Sequence, residues 1–315
     1  MQEKTKQKIK SFKNYYCDAL YCALGEFFDK EKIDEILNRK TLTQQQIKLL
    51  CEYAVIKNKI AGVTFLNLKV PDFGYGIELL EKYNMKGNEI VSANLMNCMP
   101  SKALVGQRLI LEVESLLEYN ENFLSDLSDL SAKIDIPIIF ALGQDLEEVG
   151  KIVNKFKMSP VQTLESFGFL DRECYVLGLN FIDKDDQKLM RDYGATCIFS
   201  PCCDGEEGKG AINLYNFIYN DLKFRFSSRR NHNIDMLKEC WLAMVNTSNL
   251  MFEKDLIKIE DLLQAVFDKN GIDIEISTGE YERKEGLLNK KIKLNIEDFE
   301  NVYKNVKKLV FQLKD

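Results

Sequence analysis

Histidine is nearly missing from this 315-residue chain: His232 is the only one. A site built from two or more imidazoles, such as a three-histidine zinc centre or a paired-histidine mechanism, is therefore excluded. Proline is scarce, with five residues, and no Ser/Gly-rich stretch marks a linker. No apolar run approaches the roughly 20 residues of a membrane span. The opening MQEKTKQKIKSFKNYY is basic but has no apolar core of a secretory signal. A basic excess is absent too: 43 Lys and Arg stand against 49 Asp and Glu, a net charge of −6. That balance argues against nucleic acid, where a basic face supplies most of the affinity. The expectation is a cytoplasmic protein with neither nucleic acid nor membrane as a partner.

What is present suits an ordinary globular protein, with 45% apolar and 29% charged residues. Such a chain buries a sizeable core without disulfides or metals. Nine cysteines is an odd count, and Cys51, Cys174, Cys197 and Cys240 sit in apolar surroundings, as buried thiols of a reducing compartment do. The spacing of Cys17 and Cys22 matches no zinc template.

The apolar runs 62–68, 90–95, 136–142, 174–180, 196–201 and 223–228 read as strands apolar on both faces, the mark of a covered parallel sheet. Between them lie helical patterns over 43–59, 125–133, 146–156, 159–167 and 183–193. DKDDQKLMRDYG is one such helix, with an Asp cap and Gly194 just past its end. Repeated β-α alternation predicts an α/β fold, either a closed barrel or a doubly wound sheet. No GxGxxG or P-loop follows the early strands, which favours the barrel. A helix over 255–272 ending at Gly271, and a polar tail beyond it, divide the chain into a barrel over 1–270 and a C-terminal cap over 271–315.

The block from Ile136 to Phe217 resembles the central third of the amidohydrolase superfamily, nearest its chlorohydrolase, triazine hydrolase and S-adenosylhomocysteine deaminase branch. Pro137, the helix start Ser159-Pro160-Val161, Leu164-Glu165, Gly168, Pro201 and Gly208-Lys209-Gly210 carry the likeness. NIDMLKECWLAM (233–244) is similar to the helix after the family's last strand, and SFKNYYCDAL (11–20) to its first strand. The resemblance implies a distorted (β/α)8 TIM-like barrel, incompletely closed, with the family's small β domain reduced to the cap. It also implies zinc or iron at the C-terminal mouth, activating water for hydrolysis.

The chain departs from the family at each position that would hold the metal or move protons. The first-strand His-x-His pair falls on Tyr16 and Asp18, the fifth-strand ligand on Ala141, and the proton-shuttling Glu on Gln144. The sixth-strand His falls on Gly178, two neighbouring histidines on Phe181 and Phe199, and the eighth-strand Asp on Phe226 or Ser227. No cofactor is expected, and phenylalanines are expected to fill the old pocket. Cys202, Cys203 and Asp204, placed after the sixth strand, offer a reactive thiol or a soft metal site shared with Cys17 or Asp18. Lys209, Arg229 and Arg230 are the cations at hand to lower a thiol pKa, and the glycines 205, 208 and 210 let their loop approach a ligand. The leading expectation is a pseudoenzyme with a binding or assembly role, as a homodimer or with a paralogous enzyme. Two alternatives stand beside it: a hydrolase or deaminase with histidine-independent chemistry using Cys202, Cys203 or Asp18, and a binder of an unidentified small molecule.

Overall fold

The structure, a computed structural model, describes residues 12–39, 42–98, 108–254, 256–266 and 296–314. Eight strands follow one another in a single sheet: β1 (Phe12–Asp18), β2 (Val63–Lys69), β3 (Glu89–Ser92), β4 (Leu109–Val113), β5 (Ile138–Leu142), β6 (Cys174–Gly178), β7 (Thr196–Phe199) and β8 (Phe224–Phe226). Every neighbouring pair is parallel. Helices cross over between strands, as parallel pairing requires. Eight parallel strands in sequence order form a TIM-like barrel.

The barrel closes just past β8. Arg229 N donates to Tyr16 O and Asp18 N to Arg229 O, both at 2.9 Å. Lower on the seam a side chain does the work of a ladder. Asn14 Nδ2 donates to Ser228 Oγ at 2.8 Å, and Ser228 N donates to Asn14 Oδ1 at 3.0 Å. Between β8 and β1 there is an isolated bridge at Cys17 and Arg229 and these Asn14–Ser228 bonds instead of a ladder, so the seam is nearly but not continuously sealed.

Alternation along the strands splits the core into two layers. Leu66, Leu68, Val91, Leu111, Phe140, Leu142, Val176 and Cys197 pack outward against the helices. Tyr16, Ile90, Ile110, Ile139, Ala141, Leu177 and Ile198 fill the barrel. Helix starts follow the sequence signals. Thr43 and Ser159 open capping boxes with Gln46 and Gln162, and Asp183 caps the helix that ends at Gly194.

Several sequence expectations change. β3 ends at Ser92 and gives way to a 3₁₀ turn, so the run to residue 95 is not one strand. β4 was not among the expected strands, and it makes 196–201 contain the seventh strand. Cys202, Cys203 and Asp204 thus follow β7, not the sixth strand, and lie in the helix Pro201–Glu206. Of the expected helix over 255–272, Ile259–Val266 is observed, while Gly271 and the cap up to residue 295 lie outside the described residues. The last helix, Ile296–Lys314, stacks Tyr303 on Tyr53 of helix Gln44–Ile60, with ring centroids 5.8 Å apart.

Candidate active site

Parallel barrels build their sites at the C-terminal ends of the strands, and here those ends hold buried charge. Tyr16 on β1 donates its hydroxyl to Glu112 Oε1 on β4 at 2.5 Å. Lys69, at the end of β2, places Nζ 2.9 Å from Glu112 Oε2 and 3.8 Å from Asp18 Oδ2, and it also pairs with Glu114. Asp18 Oδ1 accepts from the backbone N of Leu20 and Tyr21, so this carboxylate also caps the short helix Ala19–Leu24. One ammonium thus sits among three carboxylates, one from the end of β1 and two from the end of β4.

Burial dominates the acid-base behaviour of this group. It pushes the Glu112 carboxyl up, partly offset by Lys69. It raises the Tyr16 phenol well above its usual value, and the Glu112 charge adds to the rise. Burial alone would lower Lys69, but Tyr16, Glu112, Asp18 and Glu114 raise it well above the ordinary lysine value, so it stays charged. Breaking such a buried set is expensive, whereas packed hydrophobic side chains in its place are often no less stable. Desolvated, coupled groups of this kind gather at functional sites.

The rim past β5, β7 and β8 carries a second network. Gln144 follows β5, Asp204 lies on the helix after β7, and Arg229 follows β8. Arg229 Nη1 stands 3.2 Å from Asp204 Oδ1 and 3.9 Å from Glu207 Oε2, while its Nη2 donates to Gln144 Oε1. Lys209 Nζ donates to the same amide oxygen at 2.8 Å and pairs with Glu207 Oε2, also at 2.8 Å. Lys30 completes the cluster, 3.0 Å from Glu207 Oε1. Burial would raise Glu207, but Arg229, Lys209 and Lys30 hold its carboxyl down at about 2. The backbone is strained here as well: Leu179 and Arg229 take φ values of 63° and 46°, unusual for bulky residues.

The expected pocket positions divide. Tyr16, Asp18 and Gln144 belong to the two networks, and Ala141 lines the barrel interior. Gly178, with φ of 106°, admits no side chain: a Cβ there would lie 2.8 Å from Leu142 O and 2.9 Å from Gln144 Cγ. Phe181 packs against the loop at Gly210, which Asn180 also ties down through Lys209 O. Phe199 and Phe226 do not fill the mouth. Both belong to the outer layer, where Phe199 meets Phe217 edge-on at 4.9 Å and Phe226 meets Phe224 at 5.9 Å. Ser227 is the inward residue, 2.6 Å from Ser200 through their hydroxyls.

Cys202 and Cys203 both lie buried on the helix Pro201–Glu206, with Lys30 Nζ 3.7 Å from Cys203 Sγ. Cys202 donates its backbone N–H to Glu239 at 2.9 Å, and burial drives its thiol pKa far up. Burial raises Cys203 to about 11, despite Arg229 beside it. Burial thus favours the protonated form of both thiols. His232 is exposed beside Gly25, and Arg230 stacks over Tyr21 at 4.5 Å. Sequence reasoning missed Lys69, Glu112 and Glu114. A charge at an inward position of an apolar strand was the available signal, in NLKV (67–70) and LILEVE (109–114).

No family model matches the chain. A 5-methylthioadenosine/S-adenosylhomocysteine deaminase from Caldicellulosiruptor saccharolyticus is 23% identical over 145 residues, 45% of this chain and 32% of the relative. The matched segment thus spans about a third of the length of that curated relative. Triazine hydrolase from Arthobacter aurescens superposes with a TM-score of 0.75 at 13% identity, covering 96% of this chain and 87% of its own. A zinc-bound adenosine deaminase from Xanthomonas campestris gives 0.67 at 12% identity, over 81% and 65%.

These matches overturn two expectations. The relatives and neighbours are deaminases and hydrolases, so a barrel that has lost its reaction is not the reading they support. A zinc-bound neighbour likewise removes the ground for expecting no cofactor. The family's donor set nevertheless does not fit the residues here. Ala141 and Gly178 offer no side-chain donor atom, Asp18 is engaged by two amides and Lys69, and Ser227 stands at the eighth-strand position. Among the described residues no three carboxylate, thiol or imidazole groups converge to hold a metal. Also among the described residues, no helix is long and apolar enough to cross a membrane. Strand order and superposition show the barrel fold of these deaminases and hydrolases, and the chain's sequence is similar to 5-methylthioadenosine/S-adenosylhomocysteine deaminases.

Proposed function

We propose that this chain is a hydrolase of the deaminase kind whose proton transfers run through a carboxylate instead of histidines. The observation that carries this reading is the buried Tyr16–Glu112–Lys69 set at the C-terminal mouth. Glu112 is the general base: it takes a proton from the attacking water and delivers it to the leaving nitrogen. The water's oxygen stays on carbon as the new carbonyl. One of its protons leaves with ammonia, and the other remains on the neighbouring ring nitrogen. Lys69 supplies a fixed positive charge where negative charge develops on the attacked group. Tyr16 and Asp18 orient Glu112 and Lys69.

Ammonia release from adenosine, 5'-methylthioadenosine, S-adenosylhomocysteine and guanine tests the proposal, with and without added zinc. At least one should turn over, and Glu112→Gln should reduce the rate by about 10²-fold or more, the scale of a lost acid-base group. No release from any of the four, or full activity in the variant, would refute it.

Two further features go with this proposal. A reducing cytoplasmic setting is supported by eight buried free thiols among the described residues. A homodimer, checked by light scattering, is supported by the exposed Tyr219, Trp241, Leu250 and Phe252.

A further inference from the structure

Two cations converge on one neutral oxygen at the rim. Arg229 Nη2 and Lys209 Nζ both donate to Gln144 Oε1, an arrangement that requires the amide oxygen, not its nitrogen, to face them. An ionised donor or acceptor strengthens a hydrogen bond, and a carboxylate in place of the amide would make both partners ionised and add direct charge attraction. The terminal amide of glutamine has the size and planarity of a carboxylate. We propose that Gln144 is an internal stand-in for a ligand carboxylate, which displaces it and binds between Arg229 and Lys209.

Three observations support the exchange. Arg229 is held from behind by Asp204 and by its own backbone in the seam, so its Nη2 keeps its direction when Gln144 leaves. Gln144 follows Gly143, whose φ is 62°, at the very end of β5, and only its side chain need swing. Burial raises the Asp204 carboxyl, so this group can take up a proton when a second anion arrives. The site's side chains are distinct from the Glu112 set: none of their hydrogen bonds or ion pairs involves Lys69, Glu112 or the Tyr16 phenol, and the two sets join only through the Arg229 backbone in the seam. That the ligand is the substrate rests on the hydrolase reading; that a carboxylate binds here does not.

The test is binding without turnover. Full-length protein is titrated with succinate, acetate or inorganic phosphate at constant ionic strength against chloride, and the thermal midpoint is followed. Succinate should raise the midpoint saturably. Gln144→Ala should bind succinate at least tenfold tighter, a gain of about 1.4 kcal/mol, because the internal competitor is gone. Gln144→Glu should abolish the response by occupying the site itself, and Lys209→Met, a half-exposed position, should weaken it at least tenfold. No saturable response in either the wild type or Gln144→Ala overturns the proposal. Weaker binding by Gln144→Ala, or an unchanged response in Lys209→Met, does so too. Tighter binding of phosphate than succinate overturns the carboxylate assignment. Succinate binding in a protein that releases no ammonia would sink the hydrolase reading and leave this site standing.

Discussion

Replacing Lys69 by methionine keeps the length of the side chain and removes the only cation in ion-pair contact with Glu112 among the described residues. The Glu112 side chain is 2% exposed and the Asp18 side chain 8%, so water does not replace the lost charge. Removing one partner of a buried pair typically destabilises by about 3–5 kcal/mol. With the usual unfolding entropy per residue, a chain of this size loses roughly 1.5 °C per kcal/mol, so the melting point should fall by about 5–8 °C near pH 8. The loss should depend on pH with a definite sign. Without Lys69 the folded Glu112 pKa rises further above the unfolded value of about 4.3, and the folded state then binds more protons than the unfolded one. Stability of the variant should therefore fall as pH rises through that window and be closest to wild type below it. Thermal melts from pH 4.5 to 8 provide the assay, with K69M/E112Q as the control that removes the orphaned charge. A K69M penalty that is flat across this range, or a double variant no more stable than K69M at pH 8, would refute the ion-cluster account.

Two other outcomes follow from buried titratable groups. Burial raises Glu239 to about 8, so it should be protonated in the fold at neutral pH. Its contribution to stability should decline as pH rises from the unfolded carboxylate value toward 8, and Glu239→Gln should flatten that part of a melting-point profile; an unchanged profile contradicts this. Cys202 and Cys203 should react with a disulfide reagent at pH 8 far more slowly in the native protein than in urea, because burial keeps both thiols protonated. Rapid labelling of either in the native state would contradict their placement.

The barrel was legible from sequence wherever strands are apolar on both faces. β5, β6 and β7 show that pattern, and the caps at Thr43, Ser159 and Asp183 mark where the intervening helices begin. β4 escaped notice because Glu112 interrupts its apolar run. A strand inside a barrel can hold a charge if its neighbours supply the counter-charge, and Lys69 comes from a strand 40 residues earlier in sequence than β4 begins. Local pattern cannot show that pairing. The orientation of Phe226 against Ser227 was also out of reach, since a one-residue shift along a strand exchanges its two faces. Tyr16, Asp18 and Gln144 were found through family resemblance alone. What their new partners are depended on Lys69, Glu112 and Arg229 meeting across the mouth.

The seam described above gives Arg229 two tasks at one address. Its backbone joins β8 to β1, and its guanidinium belongs to the rim network. A barrel welded along a full ladder can replace any single rung and keep its shape. This one is fastened beside a three-residue strand, through Asn14, Ser228 and Arg229. Joining β8 to β1 therefore also sets the Arg229 guanidinium in the rim. A chain caught with its final strand undocked would have no Arg229 in place, so assembly of the fold and readiness of the mouth arrive together.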